Sequence, residues 1–275
     1  MVDNTTIHPS SQHQAHLIDL FLFKGAPTNQ DQDHEVTILI NQGYVAGYCP
    51  SRYQPLWSAY RVAHASQDVA YDRPHLYYAD ERIEAGSRLS SKTFGKKDGV
   101  QYHVGHMVPN EAINRQFGRL AQLETFFMTN MSPQRGSLNT GVWLALEKKI
   151  RNIEDTDQKD HVWAIAGPVF DDDPEMIDRD DVSVPIPSAY YYIAVDPFRY
   201  PWDRESNVDL ACFLFPQDAA KSTPLENFLV NIGEIETRTK LKFFPGWDYT
   251  VGAAAAAAAA GSPETRHRLL RQLQE

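Results

Sequence analysis

The residues best equipped for chemistry lie between positions 101 and 151. That stretch carries Arg115, Arg119, Arg135, Lys148, Lys149 and Arg151 against Glu111, Glu124 and Glu147, a net +3 in a chain of net charge −10. A local cationic island in an acidic protein is what a phosphate-binding cleft requires. Within it, Val104-Gly105-His106 follows a strand-like pattern, and Pro109 interrupts the chain soon after. Gly105 permits a tight bend that could present the His106 imidazole to a cleft, although a lone histidine is more often structural. Asn130 and Asn139 flank Met131-Ser132-Pro133-Gln134. A carboxamide oxygen is a hard, neutral ligand suited to Mg²⁺, which keeps most of its waters. An Asn beside Pro and Gly also serves as a turn residue or helix cap. Separations of eight and four residues put Asn139, Glu147 and Arg151 near one helix face.

These residues need elements to position them. Residues 36–49 predict two strands joined at Asn41-Gln42-Gly43, a hairpin signal. Strands are predicted at 56–64, 161–170, 189–195 and 210–215, and helices at 110–124 and 138–153. Residues 225–232 read as a strand and 234–240 as a helix, while the apolar patch at 18–23 suits a short helix or strand. Residues 71–100 are loop-rich, and the seven acids of 171–181 read as a solvated loop, since their spacing does not fit a calcium loop. Strand and helix signals mix without strict alternation, which predicts an α+β domain.

Composition narrows the function classes. The 275 residues are 42% hydrophobic and 11% aromatic, enough for a large core. No stretch approaches the roughly 18–20 apolar residues that span a bilayer, so no membrane role is expected. With 26 basic and 36 acidic residues a general basic coat is absent, and any nucleic-acid site must be a local patch. Cys49 and Cys212 cannot build a disulfide framework or a four-cysteine zinc site. The N-terminal residues lack the pattern of a signal or transit peptide. Cytoplasmic residence is the default expectation, with signal-independent export left open. Eight alanines, Ala253 to Ala260, read as a spacer before a short helix with Leu269, Leu270 and Leu273 on one face.

Taken together, the motifs resemble the DNA/RNA non-specific endonuclease family, the ββα-metal (His-Me finger) nucleases of the endonuclease G type. The family pattern is Asp-Arg-Gly-His-[Leu/Gln]-x-Pro, then [Ser/Thr]-Asn-[Met/Ile]-[Ser/Thr]-Pro-Gln, then [Leu/Phe]-Asn-x-Gly-x-Trp-x-x-Leu-Glu. Here stand His103-Val104-Gly105-His106-Met107-Val108-Pro109, Thr129-Asn130-Met131-Ser132-Pro133-Gln134, and Leu138-Asn139-Thr140-Gly141-Val142-Trp143 continuing to Leu146-Glu147. Ala59-Tyr60-Arg61-Val62 and Ile165-Ala166-Gly167-Pro168-Val169-Phe170 resemble flanking family strands. The resemblance implies an α+β fold with a mixed or antiparallel sheet core and flanking helices. It divides the chain into an N-terminal extension (1–35), a nuclease domain (36–248), and an Ala-rich linker with a short C-terminal helix (249–275).

The same resemblance implies a Mg²⁺-dependent, sugar-non-specific endonuclease for DNA, RNA or both, with Mn²⁺ as a substitute ion and 5′-phosphate products. His106 would be the general base and Asn139 the main protein ligand of the ion. Glu147 would hold the waters around that ion, and Arg61 and Arg151 would pair with phosphate oxygens. Asn130, Gln134 and Arg135 would help bind the substrate. Two positions depart from the pattern, His103 for Asp and Val104 for Arg. Losing that Arg removes a cation near the phosphate, for which Arg135 would be a candidate replacement. His103 could orient the base, touch the ion or merely pack. A weakened nuclease-like nucleic-acid-binding module, and a zinc hydrolase using His103 and His106, are the competing readings. Because an unrestrained nuclease would harm its own cell, control by an inhibitor, by export or by assembly, including a homodimer, is expected.

Overall fold

The computed structural model describes residues 3–63, 71–153, 161–179, 181–197 and 208–247. The alanine run and the leucine-faced segment after it lie outside those residues. In chain order the elements are β1 (Thr5–Ile7), α1 (His16–Phe21), β2 (Thr28–Asn29), β3 (Val36–Ile40), β4 (Val45–Cys49), β5 (Gln54–Ala63), β6 (Lys96–Lys97) and β7 (Val100–His106). Then come α2 (Asn110–Glu124), β8 (Met131–Arg135), α3 (Gly136–Leu138), a π-helical turn (Asn139–Trp143), α4 (Leu144–Asn152) and β9 (His161–Val169). The chain closes with β10 (Met176–Arg179), β11 (Val182–Pro185), β12 (Ala189–Asp196), β13 (Asp209–Pro216), β14 (Leu229–Val230), α5 (Ile232–Thr239) and β15 (Leu241–Lys242).

Eight strands form one sheet in the order β1-β3-β4-β5-β9-β12-β13-β14, antiparallel except for the β1–β3 pair. Helices and strands are thus mixed around a largely antiparallel sheet, the expected α+β arrangement. The sheet carries a core on each face, because successive side chains along a strand point to opposite sides. In β12 this sends Tyr191, Ile193 and Val195 to one core and Tyr190, Tyr192 and Ala194 to the other. The first core is covered by α1, α5 and the aromatic run Phe243, Phe244 and Trp247. The second is covered by α2 and the α3–α4 helical run through Ile113, Leu138, Trp143, Leu146 and Ile150. Fully burying a side chain such as Trp143 contributes about 2–3 kcal/mol, so this helical run is held firmly against the sheet. Among the described residues, no helix is long and apolar enough to cross a membrane.

Three expectations need correction. Residues before position 36 are not an appendage: β1 pairs with β3, β2 pairs with β15, and Phe21, Leu22 and Phe23 are buried in the first core. The apolar patch at 18–23, expected as a short helix or strand, overlaps α1 and is an integral part of that core. Within 225–232 only Leu229–Val230 pairs as strand, and residues Leu225–Phe228 form a 3-10 turn opened by Pro224. Part of the acidic stretch also folds, since β10 pairs with β11 and buries Ile177 beneath its charged neighbours.

Candidate active site

A second, three-stranded sheet, β6-β7-β8, followed directly by the α3–α4 run, makes a ββα unit. It is bolted to the main sheet by Ser132, whose hydroxyl donates to Gln54 Oε1 at 2.5 Å and meets Tyr190 Oη at 2.7 Å. In the β7–β8 ladder, Gly105 lies opposite Ser132 and His106 opposite Met131. Gly105 is obligatory: a Cβ there would overlap the Gln134 side chain. Gln134 is fully buried beneath this turn and does not line the cleft described below.

The chain leaves β7 through a turn held by Asn130. The Asn130 carboxamide oxygen accepts from Val108 N–H at 2.9 Å, and its nitrogen donates to Val108 O at 3.1 Å and Thr125 O at 2.9 Å. Asn130 is therefore a buried backbone clamp behind His106, not a wall of the cleft. Arg135 sits at the end of β8, its N–H donating to Gln217 Oε1, and it too is absent from the cleft lining.

A cleft of about 720 Å³ opens between β7, the start of α2, the helical run and the 71–95 loop. His103, Val104, His106, Asn139, Glu147 and Arg151 all line it. The π turn helps align the last three. In a regular helix, residues eight apart end about 80° out of line. One extra residue in a π turn reduces the effective offset to about seven, or about 20°.

Arg61 is elsewhere. It shares its side of β5 with Trp57 and Ala59, which belong to the first core, and its cross-strand partner is Trp163 of that same core. Strand alternation thus turns it away from the face that carries the ββα unit. The cleft cation that sequence reasoning missed is Arg73. It stands in the loop-rich Asp72-Arg73-Pro74, where no periodicity marks it. The structure fixes that loop by pairing Tyr78 with Phe127, with Tyr78 N–H donating to Phe126 O and Met128 N–H to Tyr78 O. The Arg73 guanidinium lies 5.0 Å from the Phe126 ring centroid. Phe126 in turn packs edge-on against His106 at 4.9 Å.

This packing sets the electrostatics. Burial, with Arg73 adding a like-charge penalty, pushes the His106 pKa down to about 3. The imidazole is neutral at ordinary pH, and its buried Nε2 has no hydrogen-bond partner. Burial pushes the Glu147 carboxyl up to about 8, although it accepts from Trp143 Nε1–H at 3.0 Å and has Arg151 and Arg73 nearby. Arg73, Lys148 and Arg151 outnumber Glu111 and Glu147 around the cleft.

The donor set can be tested against a metal. Among the described residues no group of three or more His, Cys, Asp or Glu stands together, so no all-protein cage of the zinc kind is present. A carboxamide and a carboxylate lining one open cleft fit an ion that retains most of its waters, as Mg²⁺ does.

Comparisons with known proteins give the family and the fold. The family model described as DNA/RNA non-specific endonuclease matches residues 24–250. A nuclease of Serratia marcescens is 25% identical over 193 residues, covering 69% of this chain and 68% of the relative. The mitochondrial nuclease EXOG of Mus musculus is 30% identical over 221 residues, covering 74% of this chain and 56% of its own length. The chain therefore spans little more than half of that relative. A solved complex of EndoG with EndoGI, described as showing the mechanism of EndoG inhibition, shares the fold with a TM-score of 0.64 at 24% identity, covering 77% of this chain and 86% of that one. The neutral buried histidine, the helix-borne Asn139 and Glu147, and a family match across most of the sequence converge: this chain belongs to the DNA/RNA non-specific endonuclease family.

Proposed function

We propose that the cleft hydrolyses phosphodiester bonds of DNA, RNA or both with a divalent cation, Mg²⁺ or Mn²⁺ in its place, and releases 5′-phosphate products. The observation that carries this reading is the convergence of a neutral His106, with an unpartnered Nε2, and Asn139, Glu147, Arg73 and Arg151 on one cleft. His106 accepts the proton of a water as that water attacks phosphorus in line, a role that needs an uncharged imidazole. Arg73 and Arg151 contact phosphate oxygens and stabilise the extra charge of the transition state. Asn139 and Glu147 would hold the cation, Asn139 as ligand and Glu147 through surrounding waters. Once bound, the ion would supply Lewis-acid stabilisation of the phosphoryl group and the leaving 3′ oxygen. Contacts of this kind reach backbone and not base edges, so sequence preference is weak. A protein inhibitor that covers the cleft is the proposed restraint.

Plasmid and RNA degradation, with Mg²⁺ and with chelator, tests the reading. Wild type should cut only with the ion, and His106→Ala should lose cutting by about 10³-fold or more. Unchanged cutting by His106→Ala removes the assigned base. Val104 lines the cleft where the family pattern has Arg, which favours one second reading. If wild type binds nucleic acid but cuts nothing with either ion, the protein is a binding module.

A further inference from the structure

One contact in the cleft is left unused by the chemistry above. Asn139 Nδ2 lies 3.3 Å from His103 Nδ1. The His103 ring is seated over Gly136, where an added Cβ would meet Nε2 at 2.9 Å and Cε1 at 3.0 Å. Glycine at 136 is what lets the ring lie there.

A carboxamide has a donating end and an accepting end of nearly equal shape. The helix backbone does not choose which end faces a ligand, and the wrong end offers hydrogens to a cation. An acceptor beside one end makes the choice. With Nδ1 accepting from Nδ2–H, the Asn139 oxygen is turned away from the ring. Nδ1 is thereby occupied, so His103 acts through Asn139. We propose that His103 is a positioning residue that orients the Asn139 carboxamide oxygen toward a divalent cation, an inference that rests on the function proposed above.

This also accounts for the departure from the family pattern at position 103. An imidazole Nδ1 and a carboxylate Oδ1 both stand two bonds from Cβ. The exchange of Asp for His therefore keeps an acceptor at one place while removing a negative charge.

The test uses the full chain and Mn²⁺ alone, titrated by electron paramagnetic resonance without nucleic acid. His103→Phe keeps a ring over Gly136 but has no acceptor. His103→Asn places Oδ1 where Nδ1 was. Expected is a loss of about 10–100-fold in Mn²⁺ affinity for His103→Phe, with recovery to within about threefold for His103→Asn. The metal-free melting temperatures of the variants do not account for that order, which separates positioning from packing. If His103→Phe does not fold, His103→Ala against His103→Asn makes the same comparison. Wild-type affinity in the folded acceptor-free variant overturns the positioning role alone. Absence of Mn²⁺ binding by the wild type overturns the ion site itself, and the positioning role with it.

Discussion

Burial decides what the two acid–base groups of the cleft can do. His106 is pushed to about 3 by burial and Arg73, so it stays neutral through the physiological range. Glu147 moves the other way, from 4.5 to about 8. Between those two values Glu147 holds a proton in the folded chain that it has released in the unfolded one, so its contribution to stability falls as pH rises through that window and levels off above it, while the depressed His106 works in the opposite sense up to its ordinary value of 6.5. Removing the carboxylate should remove this slope. In chelator at pH 8.5, Glu147→Gln should be more stable than wild type by about 1–3 kcal/mol, with the two equal near pH 4. Urea melts across pH check this, and a variant less stable than wild type at high pH would sink it. The two arginines make a sharper contrast. Arg73→Ala should lower kcat/KM by about 10²–10³-fold, whereas Arg61→Ala should leave kcat within about threefold. Much of the candidate cleft was legible, because His106, Asn139, Glu147 and Arg151, which all line it, sit in stretches of fixed spacing. Arg73 was not, because a cation in a loop has no periodicity. Arg61 belongs to a strand in which alternation with Tyr60 and Val62 places it on the other face.

The elements show what the recurring motif residues are for. Asn130 reads as a substrate contact, yet all three described bonds of its side chain go to backbone around the turn after His106. Such a clamp is invisible to spacing alone, since its partners at Val108 and Thr125 lie in other segments. Asn130→Ala should cost about 2–4 kcal/mol, because it strands Val108 N–H and two carbonyls in a buried place. Activity should fall further than the unfolded fraction explains, because His106 loses its fixed exit from β7. Chemical denaturation beside turnover on plasmid DNA separates the two effects, and an unchanged midpoint would refute the clamp. The π turn is a second device hidden from a regular helical template. Its irregular Gly141, at φ −107° and ψ −116°, lies against Lys221, where a Cβ would meet the Lys221 Cα at 2.8 Å. Helices at 110–124 and 138–153 were predicted nearly to their ends, but neither the kink at Gly118 nor the π insertion leaves a mark in hydrophobic spacing.

At the scale of the molecule, the catalytic unit depends on a sheet completed from its N-terminal side. Strand patterns located β3, β4, β5, β9, β12 and β13, but the division at residue 36 missed how the chain before it is used. Phe23 packs against Trp163 at 5.7 Å and Trp247 at 5.4 Å, and Trp163 Nε1–H donates to Leu20 O. Phe21 reaches Phe117 of α2 at 5.5 Å, which links the segment to a helix whose start lines the cleft. Three buried side chains at about 2–3 kcal/mol each, plus the β1 ladder, amount to a large part of the 5–15 kcal/mol by which a domain is stable. The family match begins at residue 24, so Phe21, Leu22, Phe23 and the β1 strand lie before the matched region. A chain begun at residue 36 should therefore fail to fold cooperatively, and Phe21→Ala alone should cost about 3–5 kcal/mol. Circular dichroism melts of both check this. A truncated chain with a sharp transition and wild-type cutting would show that the ββα unit and the sheet from β3 onward suffice without those contacts.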